Sequence, residues 1–200
     1  MRHVMNEHMQ ADSHESISVK TVPTPNPDAL MFRVDEVLVP TGTYEYRGAE
    51  EAAQSPLALE LLAIEGTELV LIAPRFITLR KEPDADWPDI VPHVKDRMRR
   101  FMASGEMAVF ETTSAERRQP GSEVETRIIE LIDEQIRPAI AQDGGDVTYL
   151  GFVDGIVQLK LIGACGTCPS AVTTLKMGIE RLLMEEIPEV QGVEQEGLTT

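Results

Sequence analysis

A segment without large apolar side chains divides the chain and limits what it can fold into. Residues 111–122 have the sequence ETTSAERRQPGS, a polar composition containing Pro and Gly that is typical of a linker. Domains commonly contain about 100–150 residues, so each flanking part can build one small core. We therefore predict two small α+β domains, at 17–105 and 123–197, joined by a flexible linker at 106–122 and preceded by a disordered tail at 1–16.

Hydrophobic periodicity predicts that the first domain contains both helices and strands. Ser55-Pro56 has the residue types of a helix start, with serine at the N-cap and proline at the first helical position. Pro74-Arg75 separates two β-rich apolar runs, which indicates a hairpin. In chain order, the predicted elements are strands at 17–22, 29–34 and 36–39, a helix from 55, a hairpin over 68–80 and a helix from 86.

The second domain is predicted to have the order α-β-β-α-β. Apolar residues recur at helical spacing over 123–142, and Asp143-Gly144-Gly145-Asp146 then ends the helix and turns the chain. Asp154-Gly155 joins two β-rich runs, a strong short-range signal for a hairpin. A second amphipathic helix is predicted from Pro169, and a last short strand over 190–194.

Charge and hydropathy narrow the classes of partner. The net charge is −16 and both predicted domains are acidic, which argues against nucleic-acid binding. The longest apolar runs are far shorter than the roughly 20 residues that cross a bilayer, and the first residues lack the apolar region of a secretory signal. We predict a cytoplasmic protein with no nucleic-acid and no membrane partner. The irregularly spaced His3, His8 and His14 fall in the predicted tail, and we assign them no role.

The only two cysteines, Cys165 and Cys168, are the candidate site. They lie between a predicted strand end and a predicted helix start. Unpaired backbone N–H groups and the helix dipole favour negative charge there, and the thiolate is both the metal ligand and the nucleophile. Gly166 between them lets the loop fold tightly enough for both sulfurs to face one side. In a reducing compartment, such a pair indicates a metal site or a redox centre.

Counting ligands indicates that one chain supplies half of a metal site. A cubane iron–sulfur cluster or a structural zinc usually takes four protein ligands. The second domain has two cysteines and no histidine, since His93 is the last histidine in the chain. Two copies related by a two-fold axis would supply four thiolates.

Three alternatives to an iron–sulfur cluster follow from the same residues. Interfacial zinc would use the same ligands, and spacing does not separate the two metals. A thioredoxin-like dithiol oxidoreductase also has its cysteines at a helix start, but here a predicted hairpin precedes the pair and Ala164 replaces the expected aromatic residue. A purely structural pair is disfavoured by the two-residue gap at a helix start. The residues alone leave these alternatives open.

The motifs resemble those of a known family. Asp143–Val147 followed by Gly163–Ser170 resembles the signature of the NifU C-terminal, or Nfu, domain, and the match extends over roughly 123–195. The first domain is similar to the Nfu N-terminal domain in three motifs, Thr24–Pro27, Ser55–Ala58 and Phe76–Thr78.

The resemblance implies a carrier or scaffold rather than an enzyme. It implies one [4Fe–4S] cluster per homodimer, bridging the subunits with Cys165 and Cys168 as ligands. It further implies that the cluster comes from an upstream assembly scaffold and is delivered to apo iron–sulfur client proteins. The first domain is then expected to govern the choice of partner.

Overall fold

The structure is a computed structural model that describes residues 17–110, 121–166 and 169–196. The chain forms two compact units, the first built from residues 17–23 and 28–110 and the second from residues 24–27, 121–166 and 169–196. The predicted tail at 1–16 and most of the predicted linker lie outside the described residues. The domain limits at 17–105 and 123–197 stay a prediction.

A five-stranded antiparallel sheet forms the centre of the first unit, in the order β1-β2-β5-β4-β3. The predicted hairpin is confirmed, since β4 and β5 pair from Ala73 and Phe76 outward. The strands are β1 (Val19–Pro23), β2 (Ala29–Val34), β3 (Tyr44–Tyr46), β4 (Thr67–Ala73) and β5 (Phe76–Lys81).

The strand predicted at 36–39 is wrong. This segment crosses the turn between β4 and β5, where the Leu38 N–H donates to the Pro74 carbonyl at 2.9 Å. Val37 is exposed, and Val39 is buried in the core. The sheet edge next to β4 is taken by β3, which the sequence pattern did not predict.

Two helices, α1 (Pro56–Leu62) and α2 (Trp87–Ser104), pack with the sheet. The predicted start of α1 is confirmed, because the Ser55 hydroxyl accepts a hydrogen bond from the Ala58 N–H at 3.2 Å. The α2 helix ends at Gly105 in the left-handed conformation, with φ of 72°. The core includes these fully buried side chains: Phe32, Leu57, Leu61, Ile72, Ile77 and Met98.

The second unit has the predicted order α-β-β-α-β. In its sheet, β6 and β7 are antiparallel, while β8 lies parallel to β7. The hairpin turns through Asp154 and Gly155, both with positive φ, as the Asp-Gly pair predicts. Its elements are α3 (Glu123–Leu131), a π-helical turn (Ile132–Ile136), α4 (Arg137–Gln142), β6 (Gly145–Val153), β7 (Ile156–Gly163), a 3-10 turn (Ala164–Gly166), α5 (Pro169–Glu186) and β8 (Gly192–Gln195).

Both units are therefore mixed α+β structures, and the predicted fold class is confirmed. The core of the second unit lies between its helices and one face of its sheet. It is built from aliphatic side chains that include Ile128, Leu131, Ile140, Val147, Ile179 and Leu183. Among the described residues, no helix combines the length and hydropathy that crossing a membrane requires.

Candidate metal centre

Cys165 lies in the 3-10 turn that connects β7 to α5. Its side chain is only 3% exposed and belongs to the hydrophobic core of the second unit. Cys168, the other predicted ligand, lies outside the described residues. The structure therefore places one of the two predicted ligands, at the junction of strand and helix that the sequence pattern predicts.

Gly145, the first residue of β6, forms the surface against which Cys165 packs. A Cβ at this position would lie 2.8 Å from Cys165 Sγ and 2.8 Å from the Ile162 carbonyl oxygen. Both distances are too short for a real side chain, so glycine is required for steric reasons. The thiol occupies the space that a side chain at Gly145 would fill.

Gly166 has a different reason to be glycine from the one that the sequence suggested. A Cβ there would lie 2.5 Å from the carbonyl oxygen of Leu161. The turn therefore returns close to the backbone of β7, and a larger residue would force it away. This close approach keeps the turn, and Cys165 within it, packed against the sheet.

The Asp-Gly-Gly-Asp loop is in direct contact with the cysteine turn. The Ala164 N–H donates to the Gly144 carbonyl oxygen at 3.3 Å, and Gly145 pairs with Gly163 in the β6–β7 ladder. Gly144 and Gly163 both adopt positive φ, at 77° and 72°. From the sequence, this loop was expected to end the helix and turn the chain, and its contact with the cysteine turn was not predicted.

The loop's last carboxylate, Asp146, is held by protein donors. Its side chain is 8% exposed, and its Oδ1 accepts from the Val147 N–H at 2.7 Å and from Arg137 Nη1 at 2.5 Å. Arg137 Nε also donates to Asp133 Oδ1 at 2.9 Å. Sequence analysis did not single out Arg137. The spacing of Asp133 and Arg137 on one predicted helix was the available signal.

No group of three or more His, Cys, Asp or Glu side chains comes together within the described parts of the chain. Among the described residues the only thiol is that of Cys165, and the carboxylate of Asp146 forms an ion pair with Arg137. The described residues thus offer a single sulfur ligand at the start of a long helix.

Two family models match the chain in the same order as the two predicted domains. The NifU-like domain matches residues 128–194, and the N-terminal domain of the scaffold protein Nfu/NifU matches residues 19–105. A human relative, named NFU1 iron-sulfur cluster scaffold homolog, mitochondrial, is 44% identical over 182 residues, covering 88% of this chain and 71% of the relative. The chain belongs to the Nfu/NifU family.

A plant relative and a solved yeast structure are also similar to parts of this chain. NifU-like protein 4, mitochondrial, from Arabidopsis thaliana is 37% identical over 185 residues, covering 89% of this chain and 65% of that protein. The solution structure of a NifU-like protein from Saccharomyces cerevisiae covers 46% of this chain and 84% of its own, with 26% identity and a TM-score of 0.43.

The names of the relatives correct one prediction. The human, Drosophila and Arabidopsis relatives are all named as mitochondrial proteins, so the predicted cytoplasmic localisation is wrong. That prediction was based on composition and on the first residues. Cellular addresses are read by receptors and are independent of the physical chemistry of the folded domains.

Proposed function

We propose that this Nfu/NifU family member is an iron–sulfur cluster scaffold and carrier. Cys165 and Cys168 from each of two copies bind one [4Fe–4S] cluster as cargo between the subunits. The observation that carries the proposal is the position of Cys165, packed against Gly145 in the turn that leads into α5. Relatives named as iron–sulfur cluster scaffolds support the choice of metal.

The position before α5 suits a thiolate ligand. This helix is 18 residues long, and its first N–H groups have no partner within the helix. They and the helix dipole favour negative charge at the turn, and thiolate is the form of cysteine that binds iron. The turn is therefore a favourable position for an anionic ligand.

Because each copy supplies only half of the cluster's ligands, the arrangement suits a carrier. Four thiolates complete the coordination of a [4Fe–4S] cluster, and each copy supplies two of them. A cluster attached by two bonds to each subunit is released when thiolates of a client replace those of the carrier. This exchange changes the ligands without any net oxidation or reduction, so the proposal includes no enzymatic turnover.

The remaining parts of the chain have roles in partner selection under this proposal. The cluster-binding domain comprises residues 123–197, and the domain at 17–105 selects the apo-protein clients. The cluster is received from an upstream assembly scaffold. The first domain engages a client while the second delivers the cluster.

Anaerobic reconstitution with iron and sulfide tests the proposal. We expect about four irons and four sulfides per dimer, with mass in solution corresponding to two chains. Cys165→Ser and Cys168→Ser should each abolish the stable cluster. Met177→Ser provides the matched control, because it removes a sulfur-containing side chain that is 66% exposed on α5, the helix that follows the two cysteines. A cluster that persists in either cysteine variant would contradict the assignment.

The same preparation tests two of the three alternatives that the sequence left open. A colourless dimer that contains zinc in stoichiometric amount and takes up no iron would replace the cluster by an interfacial zinc. An intramolecular disulfide that cycles near −270 mV, together with reduction of insulin, would indicate a thioredoxin-like oxidoreductase.

A further inference from the structure

We propose that Arg137 is a positioning residue for Cys165. Arg137 and the carboxylates of Asp133 and Asp146 form an ion-pair cluster, which we name the brace. The proposal rests on the proposed function for its biological meaning, since it describes how the apo protein keeps a ligand thiol in place. It concerns residues of this chain alone and is testable without the cluster.

Arg137 and Asp146 form an ion pair. The Asp146 carboxylate is 8% exposed, and the Arg137 side chain is 33% exposed. A carboxylate so deeply buried needs a charged partner, and removing that partner leaves an uncompensated charge. Asp133, 2.9 Å from Arg137 Nε, restrains the other side of the guanidinium.

The second step leads from Asp146 to the thiol. Asp146 and Gly145 are consecutive at the start of β6, where they pair with Ile162 and Gly163. Gly145 contacts Cys165, and Gly144 accepts the hydrogen bond from Ala164. Displacing Asp146 therefore moves both the surface behind the thiol and the carbonyl that holds the cysteine turn.

The third step is the backbone that presents Arg137. The π-helical turn Ile132–Ile136 precedes it directly, and the Arg137 N–H donates to the Ile132 carbonyl oxygen. Turns of this kind are rare and frequently occur at functional sites. The extra residue in the turn changes the direction in which the helix presents everything that follows, including Arg137.

The experiment measures the accessibility of the thiol in the full-length apo protein. In a Cys168→Ser background, Cys165 is the only thiol, and its alkylation by iodoacetamide requires the turn to open because the side chain is 3% exposed. Arg137→Gln should accelerate alkylation about tenfold, and Arg137→Lys, which keeps the charge, should restore most of the protection. Hydrogen exchange at the Ala164 amide should accelerate in parallel.

The control separates the loss of the brace from the loss of a charge. Arg181→Gln also removes one positive charge from the second unit, but its side chain is 80% exposed and is paired with Glu185 on α5. We expect this variant to alkylate at the parental rate.

Each outcome decides the proposal. Unchanged alkylation and unchanged Ala164 exchange in folded Arg137→Gln would overturn it. If circular dichroism shows that this variant is unfolded, Asp133→Asn, which leaves the contact with Asp146 in place, should alkylate about threefold faster, and an unchanged rate would overturn the proposal. If the wild type binds no cluster but the variants alkylate as expected, the proposed function fails while the brace is upheld.

Discussion

Gly145 and Gly166, which lie around the cysteine turn, are required to be glycine because a side chain at either position would clash with a neighbouring atom. At Gly145 a side chain would overlap the thiol of Cys165, and at Gly166 it would overlap the carbonyl of Leu161. The first is a contact between β6 and the cysteine turn, and the second is a contact between the turn and β7, which precedes it directly. Both glycines therefore allow the close packing that positions Cys165.

Tyr46 makes the free energy of unfolding depend on pH, and a single substitution isolates this contribution. Burial raises the pKa of Tyr46 above its ordinary value of about 10, the hydrogen bond with Ser55 lowers it, and the nearby Tyr44 raises it. The unfolded chain therefore loses this proton at a lower pH than the folded one. Its stabilising contribution is complete below pH 10 and decreases as pH rises toward the folded-state pKa.

We therefore expect the free energy of unfolding to fall between pH 9 and 11 more steeply in the wild type than in Tyr46→Phe. Urea denaturation followed by circular dichroism at each pH measures this difference. Tyr44→Phe is the matched control and should retain most of the wild-type slope. Equal slopes for the wild type and Tyr46→Phe would show that Tyr46 titrates alike in the folded and unfolded chains.

At the scale of elements, helix starts differ in how completely they are capped. The Ser122 hydroxyl accepts from the Glu125 N–H at 3.2 Å, and Glu125 Oε2 accepts from the Gly121 N–H at 2.7 Å. The first bond caps α3 at Ser122, and the second ties Glu125 to the residue before the cap. Asp86 at the start of α2 makes no side-chain capping bond within the described chain.

Ser122→Ala should consequently loosen α3, because it removes the side-chain cap at the first turn. A loss of about 1 kcal/mol corresponds to roughly fivefold faster hydrogen exchange in the first turns of the helix. Asp86→Ala at the corresponding position of α2 is the control and should change exchange in that helix by less than twofold. Equal effects in the two helices would mean that the capping bonds seen at Ser122 do not stabilise α3.

At the scale of the whole molecule, charge opposes the association that the proposed function requires. Each chain has a net charge of −16, so two copies repel each other at low ionic strength. The screening length is about 30 Å at 0.01 M salt and about 8 Å at 0.15 M. Salt should therefore weaken the repulsion between copies while leaving the iron–thiolate bonds in place.

We expect the dissociation constant of the cluster-loaded dimer to decrease severalfold between about 0.01 and 0.15 M sodium chloride. Analytical ultracentrifugation under anaerobic conditions, at matched protein concentrations, measures it. The Cys165→Ser variant is the control and should remain monomeric at every salt concentration. A dimer that weakens with added salt would indicate attractive ion pairs across the interface.

Local patterns in the sequence were sufficient for the elements that depend on local physical chemistry. The Asp154-Gly155 hairpin, the Ser55-Pro56 helix start and the order of elements in the second unit are confirmed. Turn conformations, capping bonds and the period of apolar residues all act within a few neighbouring positions. The strand predicted at 36–39 failed because pairing with a neighbouring strand, rather than local composition, decides which segment joins a sheet.

The sequence pattern alone places Cys165 between a strand and a helix, and it shows that the second domain has two cysteines and no histidine. The neighbours of Cys165 depend on the tertiary structure. Gly145 contacts Cys165 because the pairing register of β6 and β7 brings the two residues together. Arg137 forms its ion pair with Asp146 from a position directly after the π-helical turn. Strand register and helix direction are set by packing of the whole unit, so these neighbours follow from the fold rather than from the motif.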